Sequence, residues 1–161
     1  MNGGYNLIDF STAILSYRSV GNVFLNENIS IYIDEMYSRF NVEVKKYALP
    51  DGDERIAYFL DSTMTIATKS DGIIFSVGCN NKYKGGYKKI IYPGDTIGKI
   101  INFTERQRIF NGSLIIDNDF GISFILPAPY DEIADNLNDL PLGLEFKEIY
   151  VSDYSSWNTV G

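Results

Sequence analysis

The side chains of this sequence that could carry chemistry are carboxylates and one cysteine, Cys79, because the chain contains no histidine. Without histidine it lacks the usual general base at neutral pH, the Ser-His and Cys-His nucleophile pairs and the commonest zinc ligand. Cys79 therefore has no histidine to activate it, and a single cysteine cannot form an internal disulfide. Two carboxylates could hydrolyse a glycoside, but the sequence indicates no cleft that would pair them. We expect no enzymatic activity.

Two acidic segments, Asp117-Asn-Asp119 and Asp51-Gly-Asp53-Glu54, have the residue types that open a calcium loop. Neither continues with the glycine and the distant glutamate that such a loop needs, so turns between strands are the favoured interpretation. Residues 82–89 interleave basic and aromatic side chains, which could contact nucleic acid but are also typical of a flexible, solvated loop. The acidity of the whole chain favours the loop. We expect neither a metal nor a cofactor.

The net charge of −7 is concentrated near the C-terminus. Residues 128–161 carry seven Asp and Glu against one Lys, whereas residues 1–127 carry 14 acids and 13 bases. The seven acids are Asp131, Glu132, Asp135, Asp139, Glu145, Glu148 and Asp153. An acidic surface repels nucleic acid and attracts a basic protein, whose association it accelerates. The alternative is a solvated face that only keeps the protein soluble.

Hydrophobic periodicity predicts an α+β fold, mainly an antiparallel sheet of β-meanders with about three short helices. Strands are predicted at 56–60, 64–68, 73–77, 107–110, 113–117 and 120–126. Helices are predicted at 96–104 and at 28–40, the latter with Ile29, Ile33, Met36, Tyr37 and Phe40 towards the core. Asn111-Gly112 is the signal of a tight hairpin turn. Residues 5–18 fit either an edge strand or a short helix.

The acidic C-terminal part is predicted to form a helix at 130–140 and a strand at 144–151. In that helix Ile133, Ala134 and Leu137 would face the core. Asp131, Asp135 and Asp139 are four residues apart and would form one exposed stripe. The single tryptophan, Trp157, either anchors an interface or covers the core.

The length of 161 residues predicts one globular domain over 1–161. Within it, segments 21–79 and 89–127 share a helix-then-meander pattern that suggests two αβββ-like repeats, followed by the acidic helix and strand of 128–161. The alternative is that helix followed by hairpins recurs by chance in an α+β protein. The N-terminus lacks the pattern of a signal peptide, and no apolar run is long enough to cross a bilayer. With the lone cysteine, this favours the cytoplasm.

Residues 126–135, Leu-Pro-Ala-Pro-Tyr-Asp-Glu-Ile-Ala-Asp, together with residues 148–157, resemble proteins encoded near bacterial polymorphic toxins. In size and acidity the chain is similar to immunity proteins of contact-dependent growth inhibition systems. The resemblance implies a cytoplasmic protein that binds a cognate toxin, typically a basic nuclease domain, and covers its active site. The seven C-terminal acids and Trp157 would contact that toxin. A structural or adaptor domain with a solubilising acidic surface, and a carboxylate-dependent hydrolase, stay open as alternatives.

Overall fold

The computed structural model describes residues 7–159 and has the α+β architecture that the sequence predicts. An eight-stranded antiparallel sheet dominates this part of the chain, beside a two-stranded sheet and short helices. In chain order the elements are β1 (Ser19–Val20), β2 (Val23–Phe24), a 3-10 turn (Ile29–Ile31), α1 (Ile33–Arg39), β3 (Val42–Ala48), β4 (Glu54–Leu60), β5 (Met64–Lys69), β6 (Ile74–Cys79), α2 (Ile97–Phe103), β7 (Gln107–Phe110), β8 (Ser113–Ile116), β9 (Ile122–Ile125), α3 (Tyr130–Ile133), a 3-10 turn (Leu137–Asp139), β10 (Glu148–Ser152) and a C-terminal 3-10 helix (Ser155–Thr159).

The eight strands lie in the order β3-β4-β5-β6-β10-β9-β8-β7, with every neighbouring pair antiparallel. The meander β3–β6 and the meander β7–β9 therefore belong to one sheet. The last strand, β10, enters between them and joins β6 to β9. β3 extends the first meander by one strand, so the two halves are not equal in strand number. The internal repeat over 21–79 and 89–127 stays a prediction.

One face of the sheet carries a continuous apolar row that crosses all eight strands. Strand pairing places its members directly opposite one another, from Val42 and Leu60 through to Leu114 and Ile109. The full row is Val42, Leu60, Met64, Cys79, Ile149, Phe124, Leu114 and Ile109. Met36 of α1 and Ile97 and Ile100 of α2 belong to the same buried cluster. Period-2 alternation puts this row on one face, and burying it against both helices is the main stabilising contribution.

The other face of the sheet is covered in part by the C-terminal 3-10 helix. Trp157 stacks on Phe110 of β7 and on Tyr154, with ring centroids 5.4 and 4.7 Å apart. The Ser123 hydroxyl donates to the Tyr154 hydroxyl at 3.0 Å and fixes the helix over β9. Trp157 is half-buried there. Of the two roles that the sequence leaves open, packing against the protein's own sheet is the one with contacts in the structure.

The helix expected at 28–40 is divided in two. Asn28 caps the first part as predicted, accepting from the Ser30 amide at 3.0 Å, but that part is a 3-10 turn and α1 begins only at Ile33. The change of helical period rotates the later residues, and Tyr37 is 55% exposed instead of facing the core. The sequence also misses β3, because nearly all its residues are exposed and show no alternation.

Residues 82–89 form the irregular loop that the sequence predicts, with all four lysines exposed, but the loop is not fully solvated because both of its tyrosines are buried. Tyr83 and Tyr87 are 2% and 4% exposed. The Tyr83 hydroxyl accepts from the Gly21 amide at 2.9 Å and donates to the Thr12 carbonyl at 2.7 Å. Burial raises the pKa of Tyr83 to about 12. One tyrosine thus holds the N-terminal segment against the end of β6.

Replacing Tyr83 with phenylalanine is expected to lower the free energy of unfolding at neutral pH by about 2 kcal/mol, because the Gly21 amide and the Thr12 carbonyl lose their buried partner. The wild type should also lose stability as the pH rises from about 10 towards 12, since an unfolded tyrosine ionises near 10 and the folded one holds its proton. The variant should show a shallower loss. Urea unfolding at several pH values measures both effects, with the exposed Tyr47→Phe as the control.

Across residues 7–159, no helix is long and apolar enough to cross a bilayer.

Candidate functional site

The acidic residues of the C-terminal part lie mainly on one connection, residues 127–147, which we call the acidic strap. The acidic strap leaves β9, passes the β7–β8 hairpin and returns along α2 to β10. Its 3-10 turn contacts β7. Its later part is tied to α2 because the Ile97 and Gly98 amides donate to the Leu144 and Leu142 carbonyls, both at 2.8 Å.

Glycine at position 98 explains how the acidic strap approaches α2 so closely. A Cβ at Gly98 would lie 3.1 Å from the Leu142 carbonyl oxygen. The glycine that weakens the helix by propensity therefore serves a packing role. Thr96 compensates in part, since its hydroxyl caps the helix by accepting from the Lys99 amide at 3.2 Å.

The helix predicted at 130–140 is wrong beyond its first turn. α3 ends at Ile133, Ala134 is extended, and Asn136 starts a separate 3-10 turn. The Asp139 carboxylate accepts from the amides of Asp135 and Asn136 at 2.9 and 3.3 Å. Asn and Asp side chains compete with helical hydrogen bonds in this way. The predicted stripe of Asp131, Asp135 and Asp139 consequently does not exist, because Asp139 caps the turn that interrupts the helix.

The carboxylates of the acidic strap form no ion pair with residues 7–159. Asp131, Glu132, Asp135, Asp139 and Glu145 are exposed, and Lys147 is the strap's single basic residue. The ion pairs found within residues 7–159 are Arg39–Glu35 and Lys99–Asp95, and neither includes a residue of the strap. Five acids against one lysine leave the strap with a net negative charge.

Two aliphatic side chains stand out on the acidic strap. Leu142 and Ile133 are 65% and 62% exposed, more than any other large hydrophobic residue in the described range. Ile133 was expected to face the core, and it points outward because α3 stops after one turn. Ala134 and Leu140, at 8% and 6% exposure, anchor the strap to the core instead.

Three of the predicted site residues lie away from the acidic strap. Glu148 begins β10 and lines a shallow cleft of about 200 Å³ with Glu43, Lys45 and Thr65. Asp153 accepts from the Ser155 amide at 2.9 Å, and its hydrogen bonds with Ser155 lower the pKa of its carboxyl. Trp157 is packed on the sheet as described above. The five acids from Asp131 to Glu145 thus share one connection, Glu148 directly follows it and lines a cleft of about 340 Å³ with Glu145, and Asp153 and Trp157 lie beyond β10.

Cys79 lies in the apolar row of the core. It is 1% exposed, and burial raises the pKa of its thiol well above the ordinary value. A neutral, buried thiol is a poor nucleophile. No group of three or more Cys, Asp or Glu side chains suitable for a metal ion occurs among the residues that the structure describes.

A second charged feature is a cleft of about 340 Å³ that Arg18 borders together with Lys88 and Lys89 of the basic segment 82–89. At its base the Tyr87 hydroxyl donates to the Asp119 carboxylate at 2.6 Å, and the Ser16 hydroxyl donates to the same group. These partners are far apart in the sequence, so no local pattern could have indicated them. The turn expected at Asn118–Asp119 is present, but its carboxylate is occupied by protein donors.

Comparisons of the chain with protein-family models, with curated proteins and with solved structures gave no match. The acidic strap carries five exposed acids and the two most exposed aliphatic side chains of residues 7–159 on one continuous segment. We therefore take it as the candidate functional site.

Proposed function

We propose that this protein is a non-enzymatic binding protein that neutralises a basic partner, as an immunity protein neutralises its toxin, and that the acidic strap is its contact surface. One observation carries the proposal. The strap combines five exposed acids that form no ion pair within residues 7–159 with the two most exposed aliphatic side chains of the described fold.

Each part of that combination serves a different step of binding. Uncompensated carboxylates attract a basic protein and accelerate its encounter, in a manner that salt weakens. Leu142 and Ile133 offer apolar area whose burial contributes about 1 to 2 kcal/mol per side chain. Large exposed apolar groups amid charged residues are typical of interaction sites. In a nuclease partner, the carboxylates would stand where substrate phosphates bind.

The proposal predicts that a gene for a basic toxin domain lies beside this protein's gene, and the first test uses that domain. Co-expression should yield a complex, and the triple variant Asp131→Lys, Glu132→Lys, Asp135→Lys should bind about 100-fold more weakly, because three attractive charges become repulsive. The salt dependence of the dissociation constant should decrease as well. Calorimetry at two or more salt concentrations measures both quantities.

A matched control reverses three exposed acids at the β3–β4 turn and the first position of β4, namely Asp51, Asp53 and Glu54, and should leave binding within about twofold of wild type. The pair Ile133→Ser, Leu142→Ser should weaken binding without altering its salt dependence. Equal losses from the strap and the control would indicate a general charge effect and contradict the proposed site. A protein that protects no cell from the neighbouring domain would contradict the toxin-neutralising role.

A further inference from the structure

The strand β3 forms an uncovered edge of the large sheet. The Asp61 amide donates to the Asn41 carbonyl at 2.9 Å, and the Leu49 amide donates to the Asp53 carbonyl at 2.7 Å. In an antiparallel ladder, hydrogen-bonded and non-hydrogen-bonded pairs alternate, so the odd-numbered residues of β3 bond to β4. The even-numbered residues present their amides and carbonyls to the free edge: they are Val42, Val44, Lys46 and Ala48.

Other features distinguish this edge from the opposite one. β7, at the far end of the sheet, is contacted by the 3-10 turn of the acidic strap, whereas no described strand pairs with the outer side of β3. β3 has seven residues in unbroken register with β4, so no bulge turns it away. Val44 and Tyr47 are 43% and 46% exposed. A long, regular, open edge is a template for another strand.

We propose that β3 pairs with β3 of a second copy of this chain, antiparallel and about a two-fold axis at Val44. Free amides meet free carbonyls only where even-numbered residues stand opposite even-numbered ones. With Val44 opposite Val44, each Glu43 stands opposite Lys45 of the other copy. Moving the axis by one residue sets Glu43 against Glu43 or Lys45 against Lys45. Charge complementarity therefore selects both the occupant and the register.

This register also suits the side chains involved. Glu43 and Lys45 fall in non-hydrogen-bonded pairs, where side chains approach most closely. Both residues are exposed, and neither has an ion-pair partner within residues 7–159. Pairing from Val42 to Lys46 would form about six main-chain hydrogen bonds and place Val44 against its own copy.

The dimer would have a defined relation to the acidic strap. Eight strands set about 4.8 Å apart place β7 roughly 34 Å from β3. The 3-10 turn of each strap, which contacts β7, would then lie at an outer end of a continuous sheet, and no strap residue belongs to the β3 edge. Self-association therefore leaves the proposed partner surface free, and it does not depend on the proposed function.

Sedimentation of the full chain over a range of concentrations tests the pairing. The wild type should dimerise reversibly, and Glu43→Lys or Lys45→Glu alone should weaken dimerisation about tenfold or more, because two attractions become two repulsions. The double variant Glu43→Lys, Lys45→Glu should restore it. Lys46→Glu, which changes charge equally but faces Val42 in this register, is the matched control and should have little effect.

A crosslink checks the register without relying on charge. Val44→Cys should form a covalent dimer on mild oxidation, because opposed residues at the axis have Cα atoms about 5.5 Å apart. Tyr47→Cys should not form this crosslink, and the native Cys79 is buried and should not react. A wild type that stays monomeric at all concentrations overturns the proposal, as does a double variant that remains as weak as the single ones. The proposal is also overturned if the protein stays monomeric and β3 instead pairs with a strand of a different protein.

Discussion

Replacing Phe124 with alanine is expected to lower the free energy of unfolding by about 4 kcal/mol. Phe124 is fully buried in the middle of β9. Its ring meets Tyr87 edge-on at 6.0 Å and Phe146 edge-on at 5.3 Å. The substitution would open a cavity where three separate parts of the chain converge, and the fixed strands around it cannot collapse to fill it.

The expected loss can be measured by urea unfolding followed by tyrosine and tryptophan fluorescence. Phe103→Ala is the matched control, because that ring is 58% exposed at the end of α2 and its removal should cost less than about 1 kcal/mol. A loss of under about 1.5 kcal/mol for Phe124→Ala would show that the site collapses and that the aromatic cluster is not rigid. A reduced slope against denaturant would instead indicate a third, partly folded state.

Phe124 also links stability to the candidate site. Phe146, its edge-on neighbour, is 2% exposed and belongs to the acidic strap. The Phe146 amide donates to the Asp95 carbonyl at 3.3 Å, at the start of α2. The strap is thus fixed at its C-terminal end by a ring in the core. The acids of the strap are exposed, while buried residues of the same segment, Ala134, Leu140 and Phe146, hold its backbone against the core.

Most strands and hairpins of this fold follow from local sequence, although β3 is missed and the strand predicted at 144–151 begins only at Glu148. The predicted strands at 64–68 and 107–110 match β5 and β7 closely, because alternation and turn residues bound them on both sides. The hairpin at Asn111–Gly112 is confirmed by positive φ at both residues. Such signals depend on neighbours within a few positions and need no knowledge of the rest of the chain.

The sheet order could not be derived in the same way. β10 joins β6 and β9 across separations of about 70 and 25 residues, and nothing in its own pattern states where it inserts. The helix expected at 130–140 fails for a different reason. Its apolar spacing is helical, but Asn136 and Asp139 form a capping box within it, and that local competition decides the outcome.

The sequence predicts which acids belong to the candidate site, but it does not predict the backbone conformation of the segment or which apolar residues it exposes. The sequence identifies the excess of acids in 128–161, and five of the seven lie on one connection in the structure. The sequence places Ile133 towards the core, whereas it is exposed in the structure, and it does not indicate that Leu142 is exposed. Exposure of an apolar residue depends on where the helix ends and on what covers it, which are properties of the tertiary structure.

Gly85→Ala is expected to lower the free energy of unfolding by about 3 kcal/mol, although it adds a single methyl group. A Cβ at this position would lie 1.8 Å from the Thr12 carbonyl oxygen and 2.7 Å from its carbon. These are backbone atoms, so no side-chain rotation relieves the contact. The Lys84 amide donates to the Phe10 carbonyl at 2.7 Å, and the Ile14 amide donates to the Gly86 carbonyl at 2.9 Å, so both segments are held together.

Gly143→Ala provides the matched control, since its Cβ would meet nothing within 4 Å. It should leave the free energy of unfolding within about 0.5 kcal/mol of wild type. Thermal and urea unfolding of both variants measure the contrast. A small loss for Gly85→Ala would mean that the N-terminal segment moves away at little cost. The buried hydrogen bonds of Tyr83 with Thr12 and Gly21 would then contribute little to stability. In that case Tyr83→Phe should also cause only a small loss in the free energy of unfolding. The two variants therefore test the same contact from its two sides.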